Sequence, residues 1–275
     1  MVRFPNCKIN LGLRILHKRP DGYHNLETIF YPIPLKDALE IVPSTDGNTT
    51  CFLSGIPVAG DPNDNLCIKA WKLLYERFPS IQPIHFYLYK AIPTGAGLGG
   101  GSADGAFALL MLNDYFQLNL TEADLLELAL SLGSDCPFFI LNKPALATGR
   151  GEILTQTDLD LSGYYLTLIN PGIHVPTGWA FSQITPNNQH IDSLEKLIKV
   201  PISEWKECII NDFQLPIANT HPEIQNCINT LYQAGAAFAA MSGSGSSVFG
   251  IFKQPHASLK STPAHYFVKA NLKLT

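Results

Sequence analysis

The most constraining feature of this sequence is a glycine-rich stretch between a predicted strand and a predicted helix. It reads Pro93-Thr-Gly-Ala-Gly-Leu-Gly-Gly-Gly-Ser-Ala-Asp104. Residues 84–90 before it alternate as a strand does, and residues 103–116 after it are apolar enough for a buried helix. A strand, a glycine loop and a helix N-terminus in this order direct several backbone N–H groups at one point. The stretch therefore predicts a loop that binds phosphate.

Three other glycine loops and a purely structural one compete with this interpretation. Gly95-x-Gly97-x-x-Gly100 matches the dinucleotide fingerprint, but a second helix follows where that fold needs a strand ending in an acidic residue. No lysine stands before Ser102, as a Walker A loop requires, and the protein-kinase segments are missing. So many glycines also cost backbone entropy, which disfavours a structural role alone.

Composition limits the class of protein. The 275 residues suffice for one large domain or two ordinary ones, and 46% hydrophobic against 15% charged residues argues against general disorder. A net charge of −4 argues against a dedicated nucleic-acid binder, so the positive residues Lys8, Arg14, Lys18 and Arg19 are interpreted as a solvated strand edge. The cysteines are scattered, and the sequence shows neither a secretory segment nor a long apolar run. These features favour a cytoplasmic enzyme with reduced cysteines and no membrane-spanning segment.

Further elements follow from local patterns. Residues 8–16 alternate as a strand, and the turn Arg19-Pro-Asp-Gly22 predicts a hairpin with a strand beginning at Tyr23. Helices are predicted at 66–78, after a Thr121–Asp124 capping box, through most of 177–213 with Asp192 as N-cap, and at 222–233. Asp135 should lie just before a helix whose first turn contains Pro137. Strands at 236–241 and 246–252 flank a second glycine loop, and 265–272 is a last strand.

At this point the sequence resembles a known family. Pro93-x-x-x-Gly-Leu-Gly-Gly-Gly-Ser102 is similar to the phosphate loop of the GHMP kinases, which include galactokinase and the homoserine and mevalonate kinases, and Met241-Ser-Gly-Ser-Gly245 is similar to their C-terminal glycine motif. Pro5-Asn-Cys-Lys-Ile-Asn-Leu11, the hairpin through His24 and Gly133-Ser-Asp-Cys-Pro137 resemble the branch whose substrate carries a cytidine diphosphate. Gly105, where alanine is common, departs from the pattern and should cost its helix about 1 kcal/mol.

The resemblance implies a two-domain α+β fold. Residues 1–155 would form an ATP-binding domain with a mixed or antiparallel sheet and helices carrying the glycine loop, and residues 156–275 a ferredoxin-like α+β substrate domain. The implied activity is an ATP- and Mg²⁺-dependent small-molecule kinase, a monomer or weak homodimer, with no nucleic-acid or membrane partner. Another GHMP kinase, or a nonenzymatic nucleotide-binding module, remains an alternative.

The same resemblance implies the site residues. Lys8 and Asp135 would form the catalytic pair, with Asp135 as base or as a group that orients the hydroxyl. Tyr23 and Phe181 would stack on the cytosine and His24 would bind its edge, while Asn10 and Thr177 would contact the substrate. Asp104 is interpreted as a carboxylate in the first helical turn, capping or catalytic. Phe181 fits helix core equally well. The residues implied for ATP are Asn65, Pro93, Thr94, Gly95, Ala96, Gly97, Leu98, Gly99, Gly100, Gly101, Ser102 and Ala103, with Ser102 also implied for Mg²⁺.

Overall fold

The computed structural model describes residues 1–188, 190–257, 259 and 262–275. It contains two compact units that interleave along the chain. The first unit comprises Met1–Cys7, Leu35–Thr94 and Gly99–Lys143, and the second comprises Lys8–Pro34, Gly95–Leu98 and Pro144–Thr275. No single position along the chain therefore separates the two units. The domain boundary expected between residues 155 and 156 stays a prediction.

Strands and helices alternate in groups along the chain. In the part up to residue 143 they are β1 (Val2–Arg3), β2 (Asn6–Lys18), β3 (His24–Lys36), β4 (Ala38–Pro43), β5 (Thr50–Gly55), α1 (Leu66–Arg77), β6 (Ile84–Lys90), α2 (Gly100–Tyr115), α3 (Glu122–Leu132) and α4 (Cys136–Leu141). After it they are β7 (Ala145–Thr148), β8 (Ile153–Gln156), β9 (Tyr165–Asn170), α5 (Thr177–Ser182), α6 (Leu194–Leu197), α7 (Trp205–Cys208), α8 (Gln214–Thr220), α9 (Pro222–Gln233), β10 (Phe238–Met241), β11 (Val248–Phe252) and β12 (Phe267–Lys273).

The first unit is built on a four-stranded mixed sheet. Its order is β1-β4-β6-β5, with β5 parallel to β6 and the other pairs antiparallel. Phe86 and Leu88 of β6 are buried while Tyr87 and Tyr89 between them are exposed, because successive side chains of a strand point to opposite faces. This alternation is typical of a sheet with one covered face.

The second unit contains two further sheets. One has the order β2-β3-β7-β8, and the other is antiparallel with the order β10-β11-β9-β12. Apolar residues of α9, including Ile224, Ile228 and Leu231, belong to the same buried cluster as Met241 and Phe252. The mixture of sheets and helices confirms the expected α+β class.

Two local predictions were wrong. The sequence predicts that 177–213 is mostly helical, but the described part of this range has only the short helices α5, α6 and α7 and a 3₁₀ turn at Ile202–Glu204. The N-cap of α6 is Ser193, while Asp192 pairs with Lys196. The expected solvated edge fails for Lys8 and Arg14, which are buried. Both faces of β2 are covered from Asn6 to Ile15, so alternation identified its faces but not their solvation.

Several local features agree with the sequence. Thr121 and Asp124 form the capping box of α3, Pro137 lies in the first turn of α4, and α9 ends before Gly235. The cysteines are unpaired and mostly buried, as expected for core residues. Over the residues with described coordinates, no helix has the length and apolar character needed to cross a membrane.

Candidate active site

The glycine loop has a backbone conformation that side chains rarely tolerate. Gly95, Gly97 and Gly99 have φ values of +63°, +77° and +69°. A Cβ atom on Gly97 would lie 2.0 Å from the carbonyl oxygen of Ser242. Glycine is therefore required there both by the left-handed conformation and by the close approach of a second backbone.

This close approach joins the two glycine motifs of the second unit. The Ser242 hydroxyl donates to the Gly97 carbonyl at 2.8 Å, and the Ser247 N–H donates to the Ala96 carbonyl at 3.2 Å. The Lys8 N–H donates to the Leu98 carbonyl at 3.0 Å. The loop carbonyls are thus held by β2 and by the residues between β10 and β11, as expected for a rigid binding loop.

Asn10 connects the Lys8 side chain with the same pair of loops. Its Oδ1 accepts from Lys8 Nζ at 2.6 Å, its Nδ2 donates to the Thr28 hydroxyl at 3.0 Å, and its N–H donates to Ser242 Oγ at 3.2 Å. Lys8 Nζ also lies 4.5 Å from the centre of the Phe30 ring. A buried, hydrogen-bonded ammonium group beside a glycine loop is suited to stabilising negative charge.

The start of α2 supplies the helix N-terminus that the sequence predicts. Gly99 is the N-cap and offers no side-chain bond, and the first described intrahelical bond runs from Ala103 N–H to Gly99 O at 2.8 Å. The N–H groups of Gly100, Gly101 and Ser102 have no acceptor within the helix, as in every helical first turn. They remain suited to an anion, so these residues fit the phosphate group that the sequence implies.

Asp104 does not have the position expected for it. It is the fifth residue of α2, outside the first turn, and is buried rather than capping the helix. Its Oδ2 accepts from Lys90 Nζ at 2.6 Å, and Lys90 also donates to Asp37. Burial raises the pKa of Asp104 to about 7 against the opposing effect of Lys90. Burial lowers the pKa of Lys90, but the two carboxylates outweigh it and hold that pKa above its ordinary value.

Asp135 occupies the position expected from the sequence. It is the N-cap residue of the six-residue α4 and makes no side-chain cap bond. Burial raises the pKa of the next residue, Cys136, to about 12, while the nearby Ser102 side chain acts in the opposite direction. The first unit thus brings Ser102 close to the start of α4. Lys8 belongs to the second unit, so its pairing with Asp135 stays a prediction.

The remaining residues implied for ATP differ in how they are held. Asn65 is the N-cap of α1, and its Oδ1 accepts from the Cys67 N–H at 2.9 Å. Pro93 is half-buried and Thr94 is exposed. Gly105, the departure from the family pattern, has a structural reason: a Cβ there would lie 2.8 Å from Leu66 Cβ. Glycine at this position lowers the helix propensity of α2 but allows α2 to pack closely against α1.

The residues implied for the cytosine cluster near the hairpin turn. The His24 and Phe181 rings stack with centroids 4.8 Å apart, and Phe213 meets the Phe181 ring edge-on. Burial, and then the charge of Lys18, lower the pKa of His24, which favours its neutral form at pH 7. Tyr23 is 52% exposed and has the Arg150 guanidinium 4.5 Å from its ring centre. Thr177 is exposed at the start of α5.

Sequence reasoning missed two groups here. In the sequence, Lys90 is only the last residue of a predicted strand, although a lysine placed directly before a glycine loop is a usable signal. The sequence analysis assigns no role to Arg150, and nothing local points to its contact with Tyr23. Among residues with described side chains, no cluster of three or more His, Cys, Asp or Glu is arranged to hold a metal.

Comparisons with known proteins agree with this geometry. Residues 65–143 match the model for the GHMP kinases N terminal domain, and residues 187–260 match the model for GHMP kinases C terminal. The 4-diphosphocytidyl-2-C-methyl-D-erythritol kinases of Bacteroides fragilis and Parabacteroides distasonis are 53% and 52% identical to the chain, covering 92% and 93% of both partners. A crystal structure of 4-(cytidine 5'-diphospho)-2C-methyl-D-erythritol kinase superposes with a TM-score of 0.76 at 31% identity, covering 93% of this chain and 91% of that one. A homoserine kinase from Cytophaga hutchinsonii shares the fold, with a TM-score of 0.69 at 14% identity.

The fold and the paired glycine loops define the class of protein, an ATP-dependent kinase of the GHMP type. Within that class, identity above half over nearly the whole chain is decisive. The chain belongs to the 4-diphosphocytidyl-2-C-methyl-D-erythritol kinase family.

Proposed function

We propose that the protein transfers the γ-phosphoryl group of ATP to the 2-hydroxyl of 4-diphosphocytidyl-2-C-methyl-D-erythritol. The products are the 2-phosphate and ADP, in the non-mevalonate pathway to isoprenoid precursors. The observation that carries this proposal is the 53% identity to a kinase of that name over 92% of both chains. The proposal includes a cytoplasmic location and a monomer or weak homodimer, both inferred from the sequence alone.

The phosphate-binding part of the proposal rests on backbone N–H groups. Gly95 to Ser102 would bind the ATP phosphates, because this loop combines left-handed glycines with the unpaired N–H groups of a helix start. Mg²⁺ commonly keeps several waters and binds substrate phosphates with one or two protein oxygens. Ser102 is the protein oxygen we propose for it, because this residue lies in the first turn of α2 beside the loop glycines.

Lys8 and Asp135 carry the chemistry in this proposal. Asp135 accepts the proton of the substrate hydroxyl or orients that hydroxyl, and Lys8 stabilises the negative charge that develops during transfer. The Asn10 bond holds the Lys8 ammonium in one place, so its charge needs no reorganisation when the reaction occurs.

The cytidine end is proposed to bind beside Tyr23, His24 and Phe181, with Asn10 and Thr177 as further contacts. The structure adds a constraint to the stacking proposal. The His24 ring covers one face of Phe181, so a cytosine held between Tyr23 and Phe181 must displace that ring or use the opposite face. A neutral His24 can both donate to and accept from the edge of a base.

The deciding experiment measures ATP- and Mg²⁺-dependent phosphorylation of 4-diphosphocytidyl-2-C-methyl-D-erythritol beside mevalonate, homoserine and galactose. We expect turnover of the cytidylyl substrate alone. Folded protein that leaves it unchanged, or that prefers another alcohol, would overturn the proposal in favour of a different GHMP kinase or a nucleotide-binding module.

Asp135→Ala tests the proposed chemical role in the same assay. We expect kcat to fall by about 10²-fold or more, while the dissociation constant for an ATP analogue stays near that of the wild type. Near-normal kcat would show that Asp135 does not handle the substrate proton.

A further inference from the structure

The glycine loop is tied at its entrance by one buried carboxylate. The loop leaves β6 at Lys90 and enters α2 at Gly100. Asp37 Oδ1 accepts from the N–H of Ala91 at 2.6 Å and from the N–H of Ile92 at 2.9 Å. Asp37 is 1% exposed, so these bonds are shielded from water. The carboxylate therefore fixes the direction in which the chain leaves the strand.

The exit of the loop is tied to the same carboxylate through Lys90. The Lys90 ammonium donates both to Asp37 Oδ2 and to Asp104 Oδ2 in α2. A Cβ on Gly100 would lie 2.8 Å from Ile92 Cγ2 and 3.6 Å from Lys90 Nζ, so α2 begins in close contact with the strand end. One ammonium group thus links the residue before the loop with the helix after it.

Stability alone does not account for three buried ionisable groups. Buried ion pairs are commonly replaceable by apolar side chains with little loss, because desolvation offsets their attraction. Asp104 Oδ1 also lacks a hydrogen-bond partner among the described residues, so the arrangement is not optimised for polar satisfaction. What the arrangement does accomplish is a fixed spacing between the two ends of the loop.

We propose that Lys90, Asp37 and Asp104 position the phosphate-binding loop for catalysis. The lysine bridge fixes the start of α2 against the end of β6, and so aims the N–H groups of Gly101 and Ser102. It acts through the loop rather than on the substrate. The inference rests on the proposed function only in taking the loop as the phosphate site.

Two substitutions at Asp104 separate the bridge from the charge. Asp104→Ala cuts the link to α2 but leaves Lys90 and Asp37 as a balanced pair, so the protein should fold. Asp104→Asn removes the same charge and keeps an acceptor for Lys90. We expect the dissociation constant of a nonhydrolysable ATP analogue with Mg²⁺, measured by calorimetry, to rise about tenfold for Asp104→Ala and less than about twofold for Asp104→Asn, since one weakened hydrogen bond to a charged group corresponds to a factor of about this size.

A buried pair in the second unit provides the matched control. Arg14 and Glu27 are joined at 3.2 Å with both side chains largely buried. Glu27→Gln should lower the melting temperature without weakening the binding of the ATP analogue. This variant therefore separates an effect on binding from general destabilisation. Calorimetry needs no turnover, so this test is independent of which alcohol is phosphorylated. The proposal is wrong if folded Asp104→Ala binds the analogue as tightly as the wild type, or if both Asp104 variants raise its dissociation constant equally.

Discussion

Gly97→Ala tests the claim that the loop needs glycine because a second backbone lies against it. An alanine Cβ would lie 2.0 Å from the Ser242 carbonyl oxygen, whereas real Cβ atoms essentially never approach within 3.0 Å. The two segments must separate by at least about 1 Å, which disturbs the 2.8 Å bond from Ser242 Oγ to the Gly97 carbonyl. The substitution therefore affects both glycine loops together.

Gly172→Ala provides the matched control because it shares the backbone strain without the contact. Gly172 has φ of +75° against +77° for Gly97, and a Cβ there meets nothing within 4 Å. The left-handed conformation costs an L-residue about 1–2 kcal/mol, and the lower entropy of the unfolded alanine chain offsets about 0.4–1 kcal/mol of this cost. We therefore expect Gly172→Ala to lower the free energy of unfolding by about 1 kcal/mol. Gly97→Ala should lower it by about 1–3 kcal/mol more, because its Cβ overpacks against Ser242.

Urea unfolding of the two variants measures this difference directly, and calorimetry with an ATP analogue measures its effect on the loop. We expect Gly97→Ala to weaken binding of the ATP analogue and Gly172→Ala to leave that binding unchanged. If Gly97→Ala loses no more stability than Gly172→Ala, the contact with Ser242 does not explain the glycine, and the reasoning fails.

Two further predictions concern a helix cap and a titrating group. Thr121→Ala removes the hydroxyl that accepts from the Asp124 N–H, and should lower the free energy of unfolding by about 1 kcal/mol in urea; a loss no larger than that of Ser131→Ala in the same helix would contradict this. The pKa of His24 is lowered from 6.5 by burial, so protonation is disfavoured in the folded state, and the contribution of His24 to stability and to affinity for the cytidylyl substrate should decline only as pH falls below 6.5. Calorimetry of the cytidylyl substrate from pH 5 to 8 checks this as the difference between wild type and His24→Gln; a difference centred above pH 7 would refute it.

Local sequence signals predict those parts of the candidate site that depend on neighbouring residues. The glycine loop, the α3 capping box and the N-cap position of Asp135 were predictable because each is determined within a few positions. The same reasoning failed for residues 177–213, which contain Pro186 and Pro201 and in their described part form only short helices. Their packing is decided by distant segments, which a periodicity does not reveal.

Charged residues in the interior were the least predictable feature. The alternation of β2 separated Lys8 and Arg14 from the apolar positions, but solvation depends on what covers each face. Lys90 and Asp37 are 53 positions apart, and their pairing leaves no local pattern. The family resemblance supplied Lys8 and Asp135 as a pair, whereas the bridge through Lys90 needed coordinates.

The bond between Asn10 and Ser242 has a consequence for how the protein folds during synthesis. These residues are 232 positions apart, yet both belong to the second unit. The strand β7, which pairs with β3, starts only at Ala145, and the buried residues outside the hairpin that share a cluster with Leu13 and Ile15 begin at Ile169. The apolar surface around Leu13 and Ile15 therefore stays exposed until more than half of the chain has been synthesised. Chaperones that bind the nascent chain should accordingly bind mainly to this N-terminal hairpin, until the later segments that cover it have been synthesised.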